Sequence, residues 1–176
     1  MQLHLAHTSQ LTRAELRAVR AMLHEAFEGD FFDVDWEHAL GGIHALAFEA
    51  EKLVGHASVV QRRIVHGGRA LRAGSVEGVG VRAEARRRGH GGALMAALEL
   101  VIRGAYDLGA LGATDEAARL YAARGWKPWQ GPLSAITPDG VRSTPEEQGS
   151  VYVFEHEVAL DVTGALCCDW RDGDVW

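Results

Sequence analysis

The chain has 176 residues, of which 47% are hydrophobic and 24% charged, which fits one globular domain with a sizeable core and excludes a disordered or collagen-like chain. Its 18 basic and 24 acidic side chains give a formal net charge of −6, which argues against a general nucleic-acid-binding protein and allows a cationic partner. Six acids and no Lys or Arg lie in residues 25–37, eight acids and one Arg lie in residues 144–176, and four bases and one acid lie in residues 82–88.

The N-terminal segment lacks the basic and apolar regions of a signal peptide, and no apolar run approaches about 18 residues. We therefore expect a cytoplasmic protein that does not contact a membrane. Cys167 and Cys168 are adjacent, and a disulfide between neighbours is strained, so we expect both to be reduced and structural. No repeat or linker interrupts the sequence, so residues 1–176 are expected to form a single domain.

The predicted elements begin with a short strand at residues 2–6. A first helix starts at the capping box formed by Thr12 and Glu15 and ends near Gly29. The remaining predicted elements are a helical turn at 35–40, strands at 43–50, 53–65 and 69–81, a helix that follows residues 86–92 and ends near Gly104, a strand at 106–111, a helix at 115–123, a strand that begins at 126–129, a surface loop at 130–149, and strands at 151–154 and 158–162. This order predicts an α/β fold with a mixed, mostly antiparallel sheet that has a central parallel junction and is flanked by helices.

Glycines interrupt the predicted strand at residues 69–81, at Gly74, Gly78 and Gly80. Glycine inside a strand commonly marks a bulge or a close approach of the backbone to a ligand. Glu77 lies on the same apolar strand, where an acid without a role would be a costly buried charge. The pattern therefore predicts a site on this strand.

A basic, glycine-containing turn follows that strand and leads into a helix. It reads Arg86-Arg87-Arg88-Gly89-His90-Gly91. Free N–H groups and the dipole at a helix start attract anions, so the turn is typical of a pyrophosphate site. It matches neither the dinucleotide-binding fingerprint nor the Walker loop. The alternative is a solvated run of arginines before an ordinary helix.

These motifs resemble a known superfamily. Arg86-x-x-Gly89-x-Gly91, after Val79-Gly80-Val81, resembles the acetyl-CoA motif of the GCN5-related N-acetyltransferases (GNAT), and residues 118–126 resemble the second motif of that superfamily. Segments at 35–38, 76–79 and 168–176 are similar to the aminoglycoside 2'-N-acetyltransferases, and this resemblance extends over nearly the whole chain. It implies a GNAT fold, acetyl-CoA as co-substrate, N-acetylation of the 2'-amino group of aminoglycoside antibiotics with resistance as a result, and a homodimer.

The resemblance also implies site residues. The cofactor-binding set is Val79, Gly80, Val81, Arg86, Arg87, Arg88, Gly89, His90 and Gly91. The substrate-binding set, which includes the acidic segments, is Asp30, Asp35, Glu77, Gly78, Gly112, Glu146, Glu147, Asp174 and Trp176. Several carboxylates suit an aminoglycoside because that substrate is a polycation. Gly112 and Glu147 stand where close relatives carry serine and aspartate.

An amine must lose a proton before it attacks a thioester, and the departing sulfur must be stabilised. We assign Glu77 as the base, acting directly or through a water, with the terminal carboxylate of Trp176 as a helper. Tyr121 is the candidate acid for the thiolate, with core packing as its alternative role. The Val79 N–H is a candidate to polarise the thioester carbonyl. Direct attack in a ternary complex is the simplest mechanism, since no acyl-enzyme is needed.

The nine histidines show no metal-ligand spacing, so no metal is expected. Two alternative functions stay open. The first is a GNAT acetyltransferase that acts on a cell-wall amino sugar, a polyamine or a peptide amine. The second is a non-catalytic acetyl-CoA-binding module. The basic turn is too short, and its flanks too acidic, for a nucleic-acid partner.

Overall fold

The structure is a computed structural model that describes residues 1–176, with the side chain of Asp115 outside the description. The helices are α1 (Arg13–Ala26), α2 (Asp33–His38), α3 (His90–Ala105) and α4 (Asp115–Ala122), and the strands are β1 (Gln2–His7), β2 (Ile43–Glu49), β3 (Lys52–His66), β4 (Arg69–Val81), β5 (Leu108–Gly112), β6 (Lys127–Pro128), β7 (Leu133–Thr137), β8 (Gly140–Ser143), β9 (Val151–Glu155) and β10 (Leu166–Cys168). Among the described residues, no helix combines the length and the apolar composition that a membrane crossing requires.

The chain divides into two compact units. The first consists of Met1–Val60 and Val76–Val101, and the second of Gln61–Ser75 and Ile102–Trp176. Strands β3 and β4 and helix α3 therefore contribute residues to both units. A single functional domain over residues 1–176 stays a prediction.

In the first unit, β2 pairs antiparallel with both β1 and β3. The turn between β2 and β3 places Ala50 and Glu51 at φ 43° and 65°, as a tight two-residue hairpin turn requires. The predicted capping box begins α1, because the Thr12 N–H donates to Glu15 Oε2 at 2.7 Å and Thr12 Oγ1 accepts from the Glu15 N–H at 3.2 Å. The helix ends at Ala26, three residues before the predicted end at Gly29. The predicted hairpin and first helix are thus confirmed.

The first unit has its own core under α1. Val19, Met22 and Leu23 on one face of this helix are buried, and Phe31 and Leu46 belong to the same cluster. The spacing of the helix residues follows the helical period, so burial of this stripe stabilises the helix against the strands.

In the second unit, strands follow the order β6-β9-β5-β4-β3-β10-β7-β8. β5 pairs parallel with β4, with Ala73 opposite Leu108, and this confirms the predicted parallel junction. A second parallel pair, between β10 and β7, was not predicted. The core of this unit includes the fully buried side chains of Trp129, Leu108 and Leu166. The sheet is mixed and mostly antiparallel, as the sequence indicates.

Two predictions in the C-terminal part are wrong. Residues 130–149 form the hairpin of β7 and β8 and a short 3-10 turn at Pro145–Glu147, and not a structureless surface loop. The predicted strand at 158–162 has no ladder, and the last strand is β10 instead. Leu160 is still buried, so the alternating apolar residues pack against the core without strand pairing.

Candidate active site

The basic turn lies between β4 and α3. Arg87 adopts a φ of 60° and Gly89 a φ of 87°, so two left-handed residues bend the chain just before His90 begins α3. The helix is 16 residues long, and its first N–H groups have no partner within the helix. Arg87 and Arg88 are exposed. The turn therefore presents guanidinium groups and free N–H groups together, which is an arrangement that binds anions.

Two other residues of the predicted cofactor set are engaged by the protein itself. Arg86 Nη2 donates to the main-chain oxygen of Ala26 at 2.6 Å, at the end of α1. His90 is 3% exposed, and its Nε2 lies 2.7 Å from Glu49 Oε1. Arg88 also reaches Glu49, at 3.2 Å. These contacts fix the shape of the turn and leave Arg87 as its one guanidinium with neither a hydrogen bond nor an ion pair among the described residues.

The glycine-broken part of β4 carries Glu77, whose side chain is half-buried. Gly78 has a φ of 55°, which favours glycine and makes the backbone irregular there, although β4 continues through it. Its main-chain oxygen accepts a hydrogen bond from His56 Nδ1 at 2.7 Å, and the oxygen of Glu77 accepts one from Ser58 Oγ at 3.3 Å. Side chains of β3 thus hold both carbonyls of this segment. At Gly80, a Cβ would lie 2.8 Å from Leu23 Cδ2, so a larger residue there would displace the buried Leu23 side chain of α1.

The two N-terminal acids of the substrate set differ in their surroundings. Asp30 is exposed in the segment after α1. Asp35 is half-buried, and its Oδ2 accepts the N–H of Phe32 at 2.7 Å at the start of α2. One oxygen of this carboxylate therefore serves as a helix cap.

In the second unit, a groove of about 560 Å³ gathers three of the predicted substrate residues, Glu146, Glu147 and Asp174. Trp170, which is 46% exposed, also lines it. Arg142 and Asp139 form an ion pair at 3.1 Å on the same groove. Three further carboxylates against one paired arginine make this groove electronegative, which suits a ligand with several ammonium groups.

Trp176 and Gly112 also lie in the second unit. Trp176 is 9% exposed, and its indole N–H donates to Thr144 Oγ1 at 3.0 Å. A Cβ on Gly112 would lie 3.5 Å from the main-chain oxygen of Trp176, so the two predicted residues are neighbours. Thr144 lines the acidic groove, and this contact ties Trp176 to its wall.

Tyr121 is 4% exposed, and its ring centroid lies 6.2 Å from Trp126 and 6.3 Å from Tyr152. Burial raises the pKa of Tyr121 to about 12, so the phenol stays protonated at neutral pH. A protonated hydroxyl is the form that donates to a departing thiolate. Because the pKa is above that of a thiol, the group is suited to hydrogen bonding with the sulfur rather than to complete proton transfer.

Sequence reasoning missed the residue that holds the C-terminal segment. The guanidinium of Arg62, on β3, is 7% exposed and donates to Asp169 Oδ1 at 2.8 Å, to Asp169 O at 2.7 Å and to Val175 O at 2.6 Å. Arg171 adds hydrogen bonds to the main-chain oxygens of Asp174 at 2.6 Å and Trp176 at 2.7 Å. The segment that carries two predicted substrate residues is thus held by two arginines.

The remaining candidate groups are cysteines and metal ligands. Cys167 and Cys168 are both free, as predicted. Burial raises the pKa of Cys168 to about 11, so its thiol is unreactive at neutral pH. Within the described residues, no cluster of three or more His, Cys, Asp or Glu side chains is placed to hold a metal ion.

Known proteins resemble this chain in sequence and in fold. Residues 7–128 match a family model described as an acetyltransferase (GNAT) domain. The chain is 51% identical over 176 residues to an aminoglycoside 2'-N-acetyltransferase of Mycolicibacterium fortuitum, and the match covers 98% of this chain and 90% of that protein. Among solved structures, it is similar to the GNAT family N-acetyltransferase YhbS of Escherichia coli in complex with CoA, with a TM-score of 0.65, 16% identity, and coverage of 97% of this chain and 89% of that one. It is also similar to Escherichia coli ElaA, with a TM-score of 0.61, 21% identity, and coverage of 88% and 99%.

Proposed function

The chain belongs to the GNAT acetyltransferases and, within them, to the aminoglycoside 2'-N-acetyltransferases, and we propose that it transfers the acetyl group of acetyl-CoA to the 2'-amino group of an aminoglycoside. The observation that carries the proposal is that a chain 51% identical to such an enzyme also has an acidic groove formed by Glu146, Glu147 and Asp174. A polycationic acceptor needs such a surface, whereas an acetyl-CoA-binding module without an acceptor does not.

The cofactor binds along β4 and the turn that follows it. Main-chain groups of Val79, Gly80 and Val81 hydrogen-bond the pantetheine arm in place of a neighbouring strand. Arg87 and the N–H groups of residues 89–91 hold the pyrophosphate, because they combine positive charge with unpaired donors at a helix start. Arg88, whose exposed guanidinium also pairs with Glu49, adds positive charge to the same turn. Arg86 and His90 contribute by fixing the turn, since their side chains are engaged with Ala26 and Glu49.

The acceptor binds through its ammonium groups. Glu146, Glu147 and Asp174 attract the polycation to the groove, and Trp170 offers an apolar face to the sugar rings. Asp30, Asp35, Gly78, Gly112 and Trp176 complete the proposed substrate set. A Cβ at Gly112 would make van der Waals contact with the main chain of Trp176, so a serine there would place a hydroxyl beside that main chain.

In the reaction, Glu77 takes a proton from the 2'-ammonium group, directly or through a water, and the free amine attacks the thioester carbonyl. The Val79 N–H donates to the carbonyl oxygen as it gains negative charge. When the C–S bond breaks, the electron pair goes to sulfur and the Tyr121 hydroxyl donates a hydrogen bond to the thiolate. The amine nitrogen gives its second proton to the terminal carboxylate of Trp176, the helper base, which leaves the amide, and CoA leaves as a thiolate that takes a proton from water. No covalent acyl-enzyme forms.

The test is thiol release from acetyl-CoA with matched pairs of aminoglycosides that differ only in a 2'-amino or a 2'-hydroxyl group. Turnover is expected with the 2'-amino member alone, and Glu77→Gln is expected to lower kcat about 100-fold or more. Turnover of a polyamine, a cell-wall amino sugar or a peptide amine in the absence of any 2'-amino preference would overturn the assignment. Tight acetyl-CoA binding without turnover of any amine would identify a binding module instead.

We also propose that the enzyme acts as a homodimer, that it works in the cytoplasm, and that residues 1–176 act as a single functional domain. Sedimentation of the purified protein tests the homodimer, and fractionation of the host cell tests the location. Limited proteolysis with and without acetyl-CoA tests the single domain.

A further inference from the structure

Two buried histidines in the first unit have no part in the mechanism above. His44 on β2 and His56 on β3 are both 0% exposed. His44 Nδ1 lies 2.9 Å from His56 Nε2, and their ring centroids are 5.2 Å apart. Two polar rings at the centre of a sheet are costly to bury, and their hydrogen bonds must offset that cost.

The direction of each hydrogen bond follows from chemistry. The main-chain oxygen of Gly78 can only accept, so His56 Nδ1, at 2.7 Å, carries a proton and donates it. Burial lowers the pKa of His56 to about 3 and that of His44 to about 4, so both rings are neutral. A neutral ring has one N–H, and therefore His56 Nε2 accepts from His44 Nδ1.

The chain of hydrogen bonds continues to the loop before β2. His44 Nε2 has no proton left, so it accepts from the hydroxyl of Thr8 at 2.8 Å. The Thr8 hydroxyl oxygen in turn accepts the N–H of Gly41 at 2.9 Å. Every donor in the series thus points the same way, from the Gly41 N–H through three side chains to the oxygen of Gly78. This arrangement sets the tautomer of both histidines.

The hydrogen-bond series ends at Gly78 O, which belongs to the same planar peptide group as the Val79 N–H. In a trans peptide the C=O and N–H bonds point in opposite directions. A carbonyl aimed at the buried His56 therefore aims the Val79 N–H away from it. Gly78 has a φ of 55°, so the backbone departs from regular strand geometry at this peptide, and the hydrogen bond from His56 helps to fix its orientation.

From these contacts we propose that His56 is a positioning residue for acetyl transfer, which orients the Val79 N–H toward the thioester oxygen, and that His44 and Thr8 hold His56 in the tautomer this requires. The inference rests on the proposed function. A proton relay is not implied, because the series ends on a main-chain carbonyl. Misalignment of an oxyanion donor by about 1 Å is enough to slow a reaction about 100-fold.

The first test compares isosteric and apolar variants. In His56→Asn the side-chain amide N–H takes the place of the Nδ1 donor, whereas His56→Leu removes it. We expect His56→Leu to lower kcat about 30- to 100-fold with the KM for acetyl-CoA changed less than about threefold, and His56→Asn to recover kcat to within about fivefold of wild type. If kcat per folded molecule is equal in wild type, Asn and Leu variants, the positioning role is wrong.

His44 is tested one step further from the strand. His44→Leu leaves His56 Nε2 without a donor, so the His56 ring loses its second hydrogen bond, its orientation is held less tightly and kcat falls, whereas His44→Asn retains a donor at the Nδ1 position. Thr8→Val and Thr8→Ser form a matched pair in the same way. Thermal unfolding of each variant, with kcat corrected for the folded fraction, separates positioning from loss of fold.

Long-range ¹H–¹⁵N correlation spectra of the histidine side chains supply a readout independent of turnover. We expect both rings to be neutral at pH 6 and to carry their protons on Nδ1. A protonated ring at pH 6, or a proton on Nε2 of His56, overturns the inference even if the enzyme is active. Conversely, if the wild-type protein shows the expected tautomers but turns over no 2'-amino substrate, the proposed function fails and the tautomer assignment stands.

Discussion

Replacement of Arg62 by Leu is the most direct test of how the acidic groove is held. The guanidinium is 7% exposed and donates three hydrogen bonds, to the carboxylate and main-chain oxygen of Asp169 and to the main-chain oxygen of Val175. The leucine leaves all three acceptors without this donor. Asp174, which lies between the two anchored residues, lines the groove.

The size of the effect follows from these contacts. The Asp169 side chain is 39% exposed, so water partly solvates the carboxylate that Arg62→Leu leaves behind, and the loss of these hydrogen bonds costs about 2–3 kcal/mol. For a protein of 176 residues, each kcal/mol lowers Tm by about 2–4 °C, so Arg62→Leu should lower Tm by about 4–12 °C. Arg62→Lys keeps the charge but not the planar fork, and an intermediate loss is expected.

Arg63→Leu is the matched control, since it removes a neighbouring arginine whose side chain is exposed. The assays are thermal unfolding followed by circular dichroism and the KM for each substrate. Arg62→Leu should raise the KM for the aminoglycoside and leave that for acetyl-CoA within about twofold of wild type. Equal Tm values for the two variants, or equal rises in both KM values, would show that Arg62 does not hold the segment.

Three further predictions concern charge, the leaving group and pH. The double variant Glu146→Gln/Asp174→Asn should raise the KM for a polycationic aminoglycoside about tenfold and leave the KM for acetyl-CoA unchanged. Steady-state kinetics at low ionic strength measure both KM values. Tyr121→Phe should lower kcat about 10- to 100-fold while Tm changes little, because the buried ring is kept; an unchanged kcat would leave Tyr121 as a packing residue. Because burial lowers the pKa of His44 to about 4 and that of His56 to about 3, the unfolded chain binds protons that the folded chain does not as pH falls below about 6.5. The free energy of unfolding should therefore fall by about 3 kcal/mol between pH 6.5 and pH 5, and a urea midpoint that is equal at the two pH values would contradict this prediction.

The elements that the sequence predicts correctly are those with local signals. Thr12 and Glu15 cap α1 through contacts within four residues, and two left-handed residues close the β2–β3 hairpin. Gly78 marks an irregular backbone conformation within β4, because its φ of 55° is rarely adopted by other residues. Each of these features depends on a few neighbouring residues, so composition and spacing suffice to find it.

The C-terminal errors are partly nonlocal in origin. β7 pairs with β10, about thirty residues later, as well as with the neighbouring β8, and short strands rich in small residues carry little propensity of their own. The segment predicted as a strand at 158–162 instead runs against residues 130–131, whose N–H groups donate to Val162 O at 2.9 Å. A Cβ on Gly131 would lie 1.9 Å from Gly164 O, so this close crossing of the backbone depends on glycine.

Side-chain roles were harder to predict than elements. The sequence shows a row of charges in the basic turn, but the structure is needed to see that Arg86 reaches the end of α1 and that His90 is buried beside Glu49. Likewise, the spacing of the histidines along the sequence matches no metal-ligand pattern and gives no sign that His44 and His56 hydrogen-bond to each other. Spacing along the chain does not reveal such pairs because their residues lie on different strands.

The two acidic segments, residues 25–37 and 144–176, are both rich in carboxylates, but these carboxylates make different contacts in the fold. In the first, Glu25 pairs with Arg82, Asp33 pairs with Arg20, and Asp35 caps a helix, so the fold itself engages much of the negative charge. In the second, Glu146 and Asp174 converge on one groove with one paired arginine. Since engaged carboxylates contribute less to the potential outside the protein, the groove is the part of the second acidic segment that attracts a polycation. The net charge of −6 does not show this concentration of carboxylates at one place.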